Sequence, residues 1–184
     1  MPSSAHALTS LSPVAAAIHA NLAVVRQGVA LLVQLGDERY AQRLPLCYDA
    51  AIGGHLRHII EHYQGFLAGL DDGEIDYERR ARDPLVERSV DHATGLLEAI
   101  ADRLAEFAPT LGNRGLQVCA ETAPGIATAT TVLRELEFLL SHTIHHYSLV
   151  AVMARLQGCE PEPDFGIAPS TLKFRRQHAT SCAR

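Results

Sequence analysis

Apolar side chains recur every three or four residues through four long stretches of this sequence, which is the spacing of helices that bury one face. Ser12 and Pro13 favour a helix start, because serine can cap a helix and proline suits its first position. Gly36 is a typical C-terminal glycine. The predicted helices cover about residues 13–35, 49 or 50 to 70, 84–108 and 132–157.

The segments between these helices differ in pattern. Residues 71–83 are polar and predict a surface loop, whereas residues 115–131 alternate in polarity around a Thr-Ala-Pro-Gly turn and predict a short β-hairpin. The sequence therefore predicts an all-α, up-down four-helix bundle with one long crossover that contains the hairpin. We expect a single domain over 1–184, with its core at about 10–158 and a C-terminal tail at 159–184.

Composition excludes several classes of protein. The formal net charge is −5 and no basic run is present, so nucleic-acid binding is not expected. No stretch approaches 18 uninterrupted apolar residues, and we expect no membrane span. The four cysteines are scattered without a CxxC motif, and no signal peptide is evident, which favours reduced thiols in a cytoplasmic protein.

Ten histidines are an excess for this length, and two of them have a metal-binding spacing. His142 and His146 in the fourth predicted helix stand at i and i+4, so they project from one face, one turn apart. That spacing lets two imidazoles reach a single metal ion. The alternative is a pair of neutral core histidines that are satisfied by hydrogen bonds.

The second predicted helix carries His55, His58 and His62, which lie within about 60° of one another on a helical wheel. One of them could supply a third ligand, and the pattern alone does not choose among the three. Three histidines from two facing helices would leave coordination positions open, as in catalytic or substrate-binding metal sites. The alternative is a solvated polar stripe on this helix.

Two further features concern the same region. The adjacent glycines Gly53 and Gly54 are costly in a helical turn and predict the close approach of another backbone. The run that contains Arg79, Arg80 and Arg82 could bind a carboxylate or phosphate, although such runs are more often solvated loops.

The stretch AIGGHLRHIIE at residues 51–61, followed by His142-Thr143-Ile144-His145-His146, resembles the DinB/YfiT-like metalloenzyme family. In that family a small residue begins the second helix, a histidine follows seven positions later, and an acidic residue comes soon after, which matches Ala51, His58 and Glu61. The resemblance covers about residues 10–158. It implies a bundle that binds a divalent metal (Zn, Ni or Fe) through His58, His142 and His146.

The resemblance also implies a function. Characterised relatives are similar to thiol-dependent transferases, so we expect a metal-dependent enzyme of thiol-transfer or hydrolase type, acting on a small substrate such as a low-molecular-weight thiol. Glu61 or Glu135 would act as a base or orient a ligand histidine. A homodimer is expected by analogy. The alternatives are a non-catalytic metal or small-ligand binding module, stress-linked for example, and a bundle that has lost its metal.

Overall fold

Four long helices form a bundle in residues 11–179, which the computed structural model describes. They are α1 (Pro13–Ala41), α2 (Ile52–Asp72), α3 (Val90–Phe107) and α4 (Val132–Leu156). A 3-10 turn (Pro45–Cys47) precedes α2, and a shorter helix α5 (Pro169–Ala179) follows α4. Helix α1 packs against the other three long helices, and α2 packs against α3 and α4. The predicted four-helix bundle is therefore confirmed.

A small sheet lies in the crossovers. Its strands are β1 (Glu74–Ile75), β2 (Gly115–Cys119) and β3 (Ala127–Thr131), in the order β1-β2-β3. Strands β2 and β3 form the predicted antiparallel hairpin, while β1 pairs in parallel with β2. Strand β1 was not expected, because it spans two residues inside a polar segment. The close approach of Ile75 to Gly69 of α2 packs this strand onto the bundle.

Two helix boundaries differ from the predictions for tertiary reasons. Gly36 does end the first regular stretch of α1, but a further helical turn continues to Ala41 beyond this kink. Helix α3 begins at Val90 and not at Pro84, with the Ser89 hydroxyl capping it. The carbonyl of Val86 instead accepts a hydrogen bond of 2.7 Å from the Tyr40 hydroxyl, which ties residues 84–89 to the end of α1.

A buried polar network crosses the middle of the bundle. Asn21 of α1 is fully buried, and its amide nitrogen donates to the carbonyls of Ala17 and Leu136 at 2.9 and 3.0 Å. The Tyr63 hydroxyl of α2 donates to its amide oxygen at 2.7 Å. Thr143 of α4 donates to the same tyrosine oxygen at 3.4 Å. This network fixes the relative positions of α1, α2 and α4, and therefore of the histidines on α2 and α4.

The most apolar helix and the tail both contribute to the core. Among the described residues, α1 alone is long and apolar enough to cross a membrane, and half of that stretch is buried inside the bundle. The expectation that the chain has no membrane span stays a prediction. After α4, Cys159 and Phe165 are buried, and the Phe165 ring stacks on Tyr147 at 4.6 Å.

Candidate metal centre

Five histidines meet where the first half of α2 faces the middle of α4. On α2, the buried residues Leu56, Ile59 and Tyr63 anchor one face in the core. The helical period therefore turns the neighbouring face, which bears the three histidines, toward α4. On α4, His142 and His146 each precede a buried residue, Thr143 and Tyr147 respectively. The cluster is His55, His58, His62, His142 and His146.

His142 contacts each of the other two predicted ligands through one ring nitrogen. The Nε2 atom of His142 lies 3.1 Å from Nε2 of His58 and 3.2 Å from Nε2 of His146. Two nitrogen ligands that each bind one zinc ion at about 2.0–2.1 Å in a tetrahedral site are about 3.3 Å apart. The donor type and the spacing of these nitrogens therefore fit a divalent transition metal.

His62 is a competing ligand. Ligand atoms of His58, His62 and His142 lie within 4.8 Å of one another, and the His62 ring stacks on the His142 ring at 4.3 Å. Its Nδ1 donates to the carbonyl oxygen of His58 at 2.8 Å, which leaves the lone pair of Nε2 available. The group of three whose ligand atoms all lie within 4.8 Å of one another contains His58, His62 and His142, whereas the predicted group has His146 in place of His62.

The cluster is held in the neutral form that metals require. Burial is the main cause, and the neighbouring imidazoles add to it: together they lower the pKa of His58, His142 and His146 to about 3. Burial also lowers the pKa of His55 and of His62. Since neutral imidazoles offer lone pairs, this environment favours a bound cation over bound protons.

Two hydrogen-bond contacts and one unpartnered nitrogen describe the surroundings of the candidate ligands. Nδ1 of His146 lies 2.9 Å from Nδ1 of His55, so His55 can orient its neighbour. The Arg80 guanidinium donates to Nδ1 of His58 at 3.0 Å, which puts the proton of this neutral ring on Nε2. The Nδ1 atom of His142 is buried and has no hydrogen-bond partner among the described residues.

Glu61 is buried, but among the described residues no hydrogen bond joins its carboxylate to the histidine cluster. Its Oε2 accepts from Arg57 at 2.8 Å, and its Oε1 accepts from the backbone N–H of Arg82 at 2.5 Å. Arg82 has a φ of 52°, a left-handed conformation that is unfavourable for a residue with a side chain. Glu61 thus holds the segment that carries Arg80 against α2.

Glu135 is also buried and fully engaged. It accepts hydrogen bonds from the Tyr77 hydroxyl at 2.8 Å, from Thr130 at 2.6 Å and from Arg134 at 2.8 Å. The Tyr77 ring stacks on His62 at 5.2 Å, so this tyrosine links Glu135 to the cluster. In the part of the chain that the structure describes, no hydrogen bond joins Glu61 or Glu135 to a histidine ring. Their catalytic roles stay predictions.

The sequence did not predict that three further residues lie beside the cluster. Tyr77 and Phe138 pack against its rings, with Phe138 stacking on His142 at 5.4 Å. Neither residue belongs to a recognisable motif. Arg80 belongs to the arginine run that the sequence did single out, yet only the fold places its guanidinium on His58.

Comparison with known proteins agrees with this architecture. The family model of the DinB superfamily matches residues 21–150. The structure is similar to the crystal structure of a DinB-like protein (YjoA) from Bacillus subtilis, with a TM-score of 0.60 and 14% sequence identity over 80% of this chain and 96% of that chain. No curated protein matches the sequence. The matched residues include all four bundle helices in large part, and the chain belongs to the DinB superfamily.

Proposed function

We propose that this chain is a metal-dependent enzyme that binds a divalent transition metal (Zn, Ni or Fe) through His58, His142 and His146. The observation that carries the proposal is that Nε2 of His142 lies 3.1 Å from Nε2 of His58 and 3.2 Å from Nε2 of His146. Two neutral histidines can share one hydrogen bond at such a distance, but His142 faces two partners through the same nitrogen. A single nitrogen shared between two imidazoles is better explained by a cation among them.

The chemistry would follow from the open side of the site. A divalent transition metal bound there would lower the pKa of an adjacent thiol or water and make it a nucleophile near neutral pH. The protein residues keep the imidazoles neutral by burying them, and His55 orients the ring of His146. We therefore propose thiol transfer or metal-assisted hydrolysis as the reaction, with a small thiol as the preferred substrate.

A specific observation favours a second candidate, a non-catalytic metal-binding module. All oxygen atoms of Glu61 and Glu135 already accept strong hydrogen bonds from other groups. A general base needs a free oxygen within reach of the proton that it removes. If neither carboxylate acts as a base, the site binds metal but catalyses no reaction that needs a general base.

The metal content of the purified protein tests the proposal. We expect about one transition metal ion per chain, lost in His58→Ala, His142→Ala and His146→Ala. The matched control is His145→Ala, because His145 lies between two of the candidate ligands in sequence but is exposed. If His146→Ala keeps the metal and His62→Ala loses it, the third ligand is His62 and not His146. No uptake of added Zn, Ni or Fe by the wild type would overturn the proposal.

Turnover separates the two candidates. The metal-loaded protein is incubated with a small thiol and a chloride-bearing electrophile, so that a sulfur–carbon bond forms, chloride leaves and the thiol proton passes to solvent. Thiol consumption above that of the metal-free protein supports the enzyme. Its absence, together with absent hydrolysis of activated esters, supports the binding module. Glu61→Gln and Glu135→Gln then show whether either carboxylate contributes to the rate.

A further inference from the structure

Loop 43–49, which follows α1, presents apolar side chains to solvent. Tyr48 is fully exposed, Leu46 is 84% exposed, and Pro45 beside them is exposed as well. Leu44, in contrast, packs against the core and anchors the loop to the bundle. Single apolar residues scattered over a surface are ordinary, but adjacent ones at the tip of one loop point to an interaction site.

The backbone holds this tip in a conformation that is unfavourable for its residues. The φ angle is 55° at Tyr48 and 60° at Asp49, in the left-handed region that favours glycine. Backbone hydrogen bonds fix the loop, since Leu44 N–H donates to the Ala50 carbonyl at 2.9 Å and Asp49 N–H donates to the Leu44 carbonyl at 3.1 Å. A tyrosine held rigidly in solvent at such a position adds nothing to the fold. A contact outside the chain explains it better, because a fixed loop loses little freedom when it binds.

The charges that flank the tip complement each other. Arg43 and Asp49 stand at the two ends of the loop, with side chains that are 73% and 67% exposed. Nε of Arg43 donates to the carbonyl oxygen of Asp49 at 2.8 Å but lies 4.0 Å from its carboxylate, so both charges remain available to a partner. In a contact with two-fold symmetry, every pair of residues occurs twice. Arg43 of each copy could then meet Asp49 of the other, on both sides of an apolar centre.

We propose that loop 43–49 is a self-association surface, which pairs with the same loop of a second copy of this chain about a two-fold axis. A lipid surface fits less well, because the loop carries one positive and one negative charge, whereas lipid-binding surfaces carry an excess of lysine and arginine. The apolar tip is small, so we expect a dissociation constant on the order of micromolar.

This surface adjoins the histidine cluster. A cavity of about 650 Å³ is lined by His55, His58 and His146 on one side and by Arg43 and Asp49 on another. A second copy bound at the loop would therefore lie beside the mouth of that cavity and restrict what enters it. Self-association itself does not depend on the proposed metal.

Sedimentation velocity of the wild type from about 1 to 200 µM tests the proposal. We expect the average mass to rise from one chain toward two. Tyr48→Gly should weaken this association at least about tenfold and yet melt no lower than the wild type, because glycine accepts a positive φ. The matched control is Phe174→Ser on α5, which removes another exposed aromatic ring and should leave association unchanged. A wild type that stays monomeric, or association that is lost in Phe174→Ser and kept in Tyr48→Gly, would overturn the proposal.

Charge reversal tests the two-fold arrangement. Arg43→Asp gives the loop two negative charges and Asp49→Arg gives it two positive charges, so neither variant should associate with itself. Their equimolar mixture should associate as the wild type does, because both ion pairs are restored between unlike copies. A mixture that stays monomeric would rule out this pairing. Co-sedimentation with vesicles of phosphatidylcholine and phosphatidylglycerol tests the lipid surface, and vesicle binding that Tyr48→Gly abolishes would assign the loop to lipid instead of a second copy.

Discussion

The Nε2 atoms of His58 on α2 and His142 on α4 lie 3.1 Å apart, although 84 positions separate the two residues in the sequence. The contact spans the interface between two helices that the Asn21–Tyr63–Thr143 network holds in register. Burial lowers the pKa of both rings to about 3, so two neutral imidazoles and not charged rings meet at this point. A bundle core that brings neutral imidazoles together in this way is prepared to receive a cation.

Arg80 should weaken metal binding. Its guanidinium donates to Nδ1 of His58 and so places the ring proton on Nε2, the nitrogen that a metal needs. It also adds a positive charge beside the site. We therefore expect Arg80→Ala to bind zinc about tenfold more tightly, a magnitude typical of residues that contact metal ligands. Competition with a chromophoric chelator measures the affinity.

The neighbouring variant Arg79→Ala is the control for this prediction, because Arg79 is exposed and carries the same charge as Arg80. It should leave the zinc affinity unchanged. Equal or weaker binding in Arg80→Ala would show instead that the guanidinium supports the site.

The metal-free protein should lose stability in acid before its carboxylates titrate. The pKa of His58, His142 and His146 is lowered to about 3 in the folded state, whereas an unfolded histidine titrates near its ordinary value of about 6.5. The unfolded chain therefore binds more protons between these values, and the free energy of unfolding falls as the pH falls from about 6.5 toward 3. Above pH 6.5 this contribution is fully present.

Urea unfolding of metal-free protein between pH 7 and pH 5 measures the slope of the unfolding free energy against pH. We expect a shallower slope in His142→Gln, because one low-pKa imidazole is removed, and an unchanged slope in the exposed variant His145→Gln. A slope in His142→Gln that equals the wild-type slope would show that the cluster does not resist protonation.

The sequence was sufficient to predict the bundle and the cluster because both follow from helical periodicity. A spacing of three, four or seven residues places side chains on one face, and this holds whatever the helix packs against. The i and i+4 pair on α4 and the three histidines on α2 therefore predicted one shared site. The hairpin in the crossover was likewise visible as alternation, since β-strands have a period of two.

Residues outside regular elements could not be placed from the sequence. Arg80 and Tyr77 lie in the polar segment after α2, whose path depends on the pairing of β1 with β2 and on the hydrogen bond from Arg82 to Glu61. The start of α3 was mispredicted for the same reason: the Val86 carbonyl binds Tyr40 instead of continuing a helix. Such choices are made by tertiary contacts, which leave no local periodic pattern.

Removal of the hydroxyl group should change the stability of the protein differently at two buried tyrosines. The Tyr63 hydroxyl donates to Asn21 and accepts from Thr143, so Tyr63→Phe leaves buried polar groups unsatisfied and should cost about 1–3 kcal/mol of stability. The Tyr147 hydroxyl is buried without a hydrogen-bond partner among the described residues. Tyr147→Phe should therefore be neutral or slightly stabilising. Denaturant unfolding measures the stability of both variants. A larger loss of stability in Tyr147→Phe than in Tyr63→Phe would contradict the described network.

Adjacent glycines at the start of α2 should also differ sharply. A β-carbon at Gly53 would lie 2.2 Å from the carbonyl oxygen of Glu87, which confirms the close backbone approach expected there, whereas one at Gly54 would meet no atom within 4 Å. Gly53→Ala should cost about 1–3 kcal/mol through overpacking. Gly54→Ala should be neutral or gain up to about 1 kcal/mol, because alanine favours helices. Thermal unfolding compares them directly.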